Sequence, residues 1–269
     1  MTSHRPRKRF GQNFLHDPAV IERIVAAVAP HPGETLVEIG PGHGALTLPL
    51  LARARRLQVV ELDRDLITPL EARAREIGEL VVHSADALRF DFCALAAGTR
   101  SLRLVGNLPY NISTPLLFHV IDDLACVRDM HFMLQKEVVE RMAAPPGGGD
   151  YGRLSVMVQM QLRVEPLFLI RPGAFTPSPK VDSMFVRLTP REAPAAPVED
   201  FADLGTVVTR AFGKRRKTLR NAVKGLLTAE QIEGCGIDPG LRPERLSLKE
   251  FAALGNVLSA AKRRGTNQN

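Results

Sequence analysis

Thr35-Leu-Val-Glu-Ile-Gly40-Pro-Gly42-His-Gly44 decides the fold. Its first five residues form a short, mostly apolar strand. Three alternating glycines then make a tight turn, and Ala45 to Ala54 carries apolar residues at helical spacing. A strand that passes through a glycine turn into a helix is the opening unit of a nucleotide-type α/β sheet.

Working outward, Gln58-Val-Val-Glu61-Leu-Asp63 predicts a second strand, followed by a charged helix over 65–77 with Pro69 in its first turn. Leu80-Val-Val-His83 predicts a third strand, ending near Asp86-Ala87. Leu102 to Gly106 predicts a fourth, leading to Asn107-Leu-Pro-Tyr110 and a helix capped by Thr114 with Pro115 at its first position. Met130 to Gln135 predicts a fifth strand, with a helix through Met142. Upstream, Asp17-Pro18 caps a helix with Val20, Ile21, Ile24, Val25 and Val28 on one face. Residues 145–150 read as a linker, since no strand precedes their glycines and no Lys-Ser/Thr follows. A helix over 153–161 comes next, then strands at 164–170 and 182–188 joined by a long loop, 171–181. The expectation is a mostly parallel α/β sheet of the doubly wound kind with one antiparallel strand. Pro190-Arg-Glu-Ala-Pro-Ala-Ala-Pro197 breaks the composition. It divides an α/β domain, 1–190, from an all-helical one, 198–269, with helices near 199–212, 216–227 and 248–263. Ser247 with Glu250 forms a capping box.

The 269 residues carry a formal charge of +7 with a pI near 9.7, which favours a polyanionic partner. No apolar run approaches the roughly 20 residues of a membrane span, and the basic N-terminus lacks a signal core. Cys93, Cys126 and Cys235 show no disulfide or metal-ligand pattern, which fits a cytoplasmic protein. The seven histidines show no paired spacing, so no metal is expected.

The chemistry gathers at the strand ends. Glu38-x-Gly40-x-Gly42-x-Gly44 is not G-x-G-x-x-G, so the third glycine is misplaced for a pyrophosphate at a helix N-terminus. S-adenosyl-L-methionine has no phosphate, and a glycine turn that admits close approach suits it equally well. Glu61 stands where an acid holds a ribose diol, and Asp86 where one accepts from an adenine amine. The amide oxygen of Asn107 and the carbonyl of Leu108 can accept from an exocyclic amine. Pro109 stiffens that turn and adds no competing N–H, and Tyr110 can stack on a flat ring. Alone, each is equally well a loop acid, a cap or a packed aromatic; their succession at four strand ends is what favours a site. Phe175-Thr-Pro-Ser-Pro-Lys180 puts an aromatic on a stiff polar loop, either near a ligand or folded into the core. Arg210, Lys214, Arg215, Arg216, Lys217, Arg220 and Lys224 have no acid among 209–224, as expected of a phosphate-contacting surface or a solvated face.

Phe10-Gly-Gln-Asn-Phe-Leu15, Glu38 to Gly42, Glu61-Leu-Asp63, Asp86-Ala87, Gly106 to Ser113, Gln135-Lys-Glu137, Tyr151 to Ser155 and Phe175 to Ser183 together resemble the ribosomal RNA adenine dimethyltransferases. The likeness runs from about residue 8 to 260. Arg215-Arg-Lys-Thr-Leu-Arg-Asn221 and Arg242 to Ser247 resemble the bacterial small-subunit (16S) branch more than the large-subunit, macrolide-resistance branch. Ser178 stands where the family often has a third proline, which implies a looser loop. The resemblance implies a Rossmann-like methyltransferase sheet with S-adenosyl-L-methionine held by Asn13, Leu15, Gly40, Gly42, Glu61, Asp86 and Asn107. It implies catalysis by Asn107, Leu108, Pro109, Tyr110 and Phe175, and RNA contact through Arg215, Arg216, Lys217 and Arg220. The implied reaction gives two adjacent adenosines near the 3′ end of small-subunit rRNA two N6-methyl groups each, within the immature 30S subunit, by a monomer. Large-subunit rRNA is the alternative substrate. An NAD-dependent oxidoreductase on the same sheet leaves the Asn107 turn unexplained, and a non-catalytic assembly factor leaves its intactness unexplained.

Overall fold

The computed structural model describes residues 13–214 and 216–266. Their contacts divide them into two units: one runs to Val139 and takes in Glu165–Pro190, and the other takes Glu140–Val164 and the chain from Arg191 on.

The strands are β1 Phe14–Leu15, β2 Thr35–Ile39, β3 Arg56–Glu61, β4 Glu79–Ser84, β5 Leu102–Asn107, β6 Val127–Gln135, β7 Leu162–Ile170, β8 Phe175–Thr176 and β9 Ser183–Pro190. The first helices are α1 Pro18–Val28, α2 Thr47–Ala54, α3 Arg64–Ala74, α4 Ser113–Ile121, α5 Lys136–Ala143 and α6 Arg153–Gln161. Seven strands make one sheet in the order β4-β3-β2-β5-β6-β9-β7. β4, β3, β2, β5 and β6 run parallel, and β9 runs antiparallel to β6. Buried parallel strands need apolar side chains on both faces, which is why β2 and β5 read as near-continuous apolar runs. From β2 the chain builds outward to β3 and β4, then crosses back to place β5 on the other side of β2. The strand order therefore reverses between β2 and β5, and in open α/β sheets ligands bind in the crevice beyond such a reversal. Ile24, Val25 and Val28 of α1 and Leu50 and Leu51 of α2 are fully buried in the core packed around the sheet.

Several local expectations change. α4 begins at Ser113, earlier than a Thr114 cap allows, because the Ile112 and Ser113 N–H groups already turn back to the Pro109 carbonyl. Pro69 lies inside α3, beyond its first turn. The long loop holds a second, two-stranded ladder: Phe14 faces Thr176 and Leu15 faces Phe175. Ser178 donates to the Pro172 carbonyl at 3.0 Å, closing the loop where a looser one was expected. Cys93 and Cys126 are joined in a disulfide, against the expectation of three unpaired thiols. The turn before β5 and the start of β6 bring them within 5.5 Å Cα to Cα, although 33 residues separate them.

In the second unit, α7 Phe201–Phe212, α8 Leu219–Ala222, α9 Ala229–Glu233 and α10 Leu248–Thr266 surround their own core. Leu204, Val207, Val208 and Ala211 of α7 share it with Phe251, Leu254 and Leu258 of α10. Asp203 accepts from Ser259 at 2.8 Å and from Lys262 across the same helix pair. Val156 and Met160 of α6 belong to this core too, so 140–164 join the helical unit, which a single cut at 190–198 does not anticipate. The Ser247–Glu250 box opens α10. Thr228 and Gln231 form a second box at α9. Among the described residues no helix is long and apolar enough to cross a membrane, and no group of three His, Cys, Asp or Glu could hold a metal ion.

Candidate functional site

A cavity of about 260 Å³ opens at the carboxyl ends of β2, β3, β4 and β5. Asn13, Leu15, Gly40, Gly42, Glu61, Asp86, Asn107, Leu108, Pro109 and Tyr110 all line it, so ten of the residues singled out above meet in one place.

The glycine turn forms its floor. The Gly40 N–H donates to the Val60 carbonyl at 3.0 Å, prolonging the β2–β3 ladder by one step. Gly42 has φ +55°, and a Cβ there would lie 3.0 Å from the Phe14 ring. Gly44 has φ +83°, and its Cβ would collide with Leu70 at 2.5 Å. Both positions favour glycine by backbone conformation, and at each an added Cβ would press on a neighbouring side chain. Phe14 in turn packs on His43, ring centroids 4.2 Å apart.

Four acids, Glu38, Glu61, Asp63 and Asp86, line the cavity, and among the described residues no Lys or Arg does. The Glu61 carboxylate accepts the Asp63 N–H at 2.7 Å and the Gly42 N–H at 3.2 Å, which fastens the β3 end to the glycine turn. Burial nevertheless raises its carboxyl above the ordinary range. Glu38 is 2% exposed, and its Oε2 has no hydrogen-bond partner among the described residues. Burial pushes its carboxyl up to about 8; the Thr47 hydroxyl pulls it down and the Glu61 charge adds to the rise. Asp86 uses Oδ1 to accept the Leu88 N–H at 3.0 Å. Leu62, between Glu61 and Asp63, is 51% exposed at the same cavity and offers it an apolar face.

Asn107 ends β5. Its Nδ2 donates to the Asn13 carbonyl at 2.8 Å. An amide can present only one group on each side, so this bond assigns the flip and leaves Oδ1 an acceptor. The Leu108 N–H continues the sheet to the Met133 carbonyl at 3.2 Å, while its own carbonyl meets no donor among the described residues. Two oxygen acceptors therefore belong to adjacent residues that line the cavity at a strand end. Gly106 permits this packing, since a Cβ there would sit 2.6 Å from the Ile39 carbonyl. The Tyr110 hydroxyl pairs with the buried Ser183 Oγ at 2.7 Å, which aims the ring. Burial raises that phenol above its usual value, with the Ser183 hydrogen bond working the other way.

Phe175 is not at the cavity. It is 3% exposed in the core beside Leu15 and Ala174, because the β1–β8 ladder turns it inward. Its other sequence reading, an aromatic folded into the core, is the one observed. Arg216, Lys217 and Arg220 are exposed in the helical unit, and Arg215 lies outside the described residues, as do residues 10–12. α8 covers only four residues, so these cations sit mostly on turns and not along a helix face as expected. Sequence reasoning missed Ser183, Leu62 and the burial of Glu38. A carboxyl inside the apolar run of β2 was the signal for the last; the other two carry no local sign.

The family model described as "Ribosomal RNA adenine dimethylase" matches residues 3–259. "Ribosomal RNA small subunit methyltransferase A" of Pseudomonas syringae pv. syringae is 57% identical over 256 residues, covering 95% of this chain and 96% of that one. The protein of that name from Nitrosococcus oceani is 57% identical over 251 residues, covering 93% and 95%. Among solved structures, a dimethyladenosine transferase from Plasmodium falciparum superposes with TM-score 0.75 at 25% identity, covering 94% of this chain and 98% of that one. The 23S rRNA methyltransferase ErmE superposes at 0.70 with 24% identity, covering 92% and 100%, which speaks to the fold alone. With its model matched over nearly the whole length, the chain belongs to the ribosomal RNA adenine dimethylase family.

Proposed function

We propose that this protein transfers methyl groups from S-adenosyl-L-methionine to N6 of two adjacent adenosines near the 3′ end of small-subunit rRNA, acting as a monomer on the immature 30S subunit in the cytoplasm. The observation that carries this reading is the pair of acceptors, Asn107 Oδ1 and the Leu108 carbonyl, at a cavity lined by four acids and, among the described residues, by no Lys or Arg. A dinucleotide would bring a pyrophosphate against those acids, at a Coulombic cost that grows in a low-dielectric site. A sulfonium and an ammonium suit them. The residues present fit the cofactor: Glu38 has an unpartnered oxygen, Glu61 stands for the ribose diol, Asp86 for the adenine amine, and Leu62 for the ring. When bound, it supplies an electrophilic methyl group on sulfur.

The rest is work for the chain. An adenine amine is a poor nucleophile because its lone pair is delocalised into the ring. Accepting its two N–H bonds at Asn107 and Leu108 favours a pyramidal nitrogen whose lone pair is free to react. Asn13 holds the Asn107 amide in that orientation through one hydrogen bond. Tyr110 offers a face to the unstacked base, worth about 1–3 kcal/mol. No strong base is required, since the cationic product nitrogen sheds its proton readily. The second transfer begins with one N–H fewer, so one acceptor is then idle. The small-subunit choice is supported by the names of relatives 57% identical over nearly the whole chain.

The test is transfer of tritiated methyl from the cofactor to immature small subunits, with mass mapping of the RNA. Two neighbouring dimethyladenosines near the 3′ end are expected. No incorporation, or methyl groups found only in large-subunit RNA, would overturn the reading.

A further inference from the structure

The helical unit has a concavity of its own, lined by residues other than Arg216, Lys217 and Arg220. Arg153, Ala202, Gly205, Thr206, Thr209, Arg210, Gly213 and Lys214 line a shallow groove of about 520 Å³. Three of the eight are cations and none is an acid. Arg210 and Lys214 are exposed and have no acidic partner among the described residues. The only acid within the α7 sequence, Asp203, faces inward and is consumed by Ser259 and Lys262. The floor is made of small side chains at helical spacing. Thr206 folds its hydroxyl back onto the Ala202 carbonyl at 2.9 Å, which keeps the groove clear. The carboxyl end of α7 adds a partial negative charge, which two full cations outweigh, and Arg153 stands at the first turn of α6, where the partial charge is positive.

We infer that this groove seats the phosphodiester backbone of the RNA substrate, as an anchor separate from Arg216, Lys217 and Arg220. Small residues with cations at the rim suit a strand that presents anions at regular intervals, and the lining offers no large apolar side chain to grip a peptide. Such contacts fix register and affinity without choosing sequence. The inference rests on the reading that the substrate is RNA.

The test measures affinity for small-subunit RNA against salt, beside methyl transfer, for the full chain. Arg210→Ala with Lys214→Ala is expected to reduce the slope of log K against log salt by about 1.4–1.8, two phosphate contacts' worth. KM for RNA should rise roughly 10-fold with kcat and cofactor binding unchanged. Thr209→Trp, which fills the groove and leaves every charge in place, is expected to weaken RNA binding severalfold. A charge-matched control, Arg75→Ala with Arg89→Ala, should leave the slope within about 0.5 of wild type. An unchanged slope in the first variant, an equal drop in the control, or wild-type binding by Thr209→Trp would each overturn the groove while leaving the enzyme reading intact. Failure of the wild-type protein to bind or methylate RNA would instead overturn the reading beneath it.

Discussion

The two ends of one sheet treat charge in opposite ways. At the amino-terminal end of the parallel strands, Arg103 is 6% exposed yet fully engaged. It donates to Asp129 at 3.0 Å, to Glu34 at 2.7 Å and to the Val28 carbonyl at 2.7 Å. Arg128 takes the other Glu34 oxygen at 2.9 Å, and Arg187 donates to His131 Nε2 at 3.0 Å, leaving Nδ1 of that ring toward Asp129. Burial opposes ionisation of Asp129, but the His131 ring beside it and the hydrogen bonds from Arg103 overcome it, and its carboxyl sits below the usual range. At the carboxyl-terminal end, backbone N–H groups hold Glu61, the Thr47 hydroxyl acts on Glu38 while its Oε2 has no partner among the described residues, and burial drives both upward. One end is closed on itself and contributes to stability; the other is left incomplete, which is what a site for a cationic ligand requires.

Breaking the closed end should cost most. Arg103→Met takes the guanidinium away from the buried side of Glu34 and Asp129, leaving them only Arg128 and His131, and urea unfolding should show a loss of about 3–5 kcal/mol. A loss below about 1 kcal/mol would mean that the network is solvated. At the open end the damage should be catalytic: Asn107→Ala should lower turnover roughly 10²–10³-fold, about 3–4 kcal/mol in the barrier, by analogy with losing one oriented polar contact. Cofactor affinity, read by calorimetry, should fall much less. Near-normal methylation by that variant would remove Asn107 from its role. Glu38→Gln sharpens the contrast through pH. A carboxyl whose folded value is raised from 4.5 to about 8 stabilises the cofactor-free fold at low pH. That stability should drain away between about pH 4.5 and 8, by no more than about 1.4 kcal/mol per pH unit, as the unfolded chain ionises first. Glu38→Gln should lack this decline and be more stable than wild type above pH 8; parallel curves for the two proteins would refute the assignment. Smallest is Tyr110→Phe, which frees the ring from Ser183 and should reduce turnover about 2–10-fold; equal loss of cofactor binding would place Tyr110 in the wrong step.

Much of the site could be read before the fold was known, because its parts lie where strands end and strand ends are marked by composition. Glu61, Asp86 and Asn107 each follow an apolar run, and Gly40 to Gly44 announces its own turn. What escaped notice depends on distant partners. Nothing near Phe175 says that it will pair with Leu15 and turn inward, and nothing near Cys93 points to Cys126. Residues 140–164 lie between strands of the sheet in sequence, which assigns them to it, while the apolar face of α6 packs into the helical core. The four-residue α8 failed for a simpler reason: three- and four-residue spacing marks turns as readily as helices in so short a segment.

The empty position at Gly42 has a long reach. A methyl group there would press on the Phe14 ring at 3.0 Å, and Phe14 is bonded to Asn13, whose carbonyl orients an amide 94 residues further along the chain. A single carbon atom added to the floor would therefore be transmitted, ring to backbone to side chain, as a misdirected lone pair.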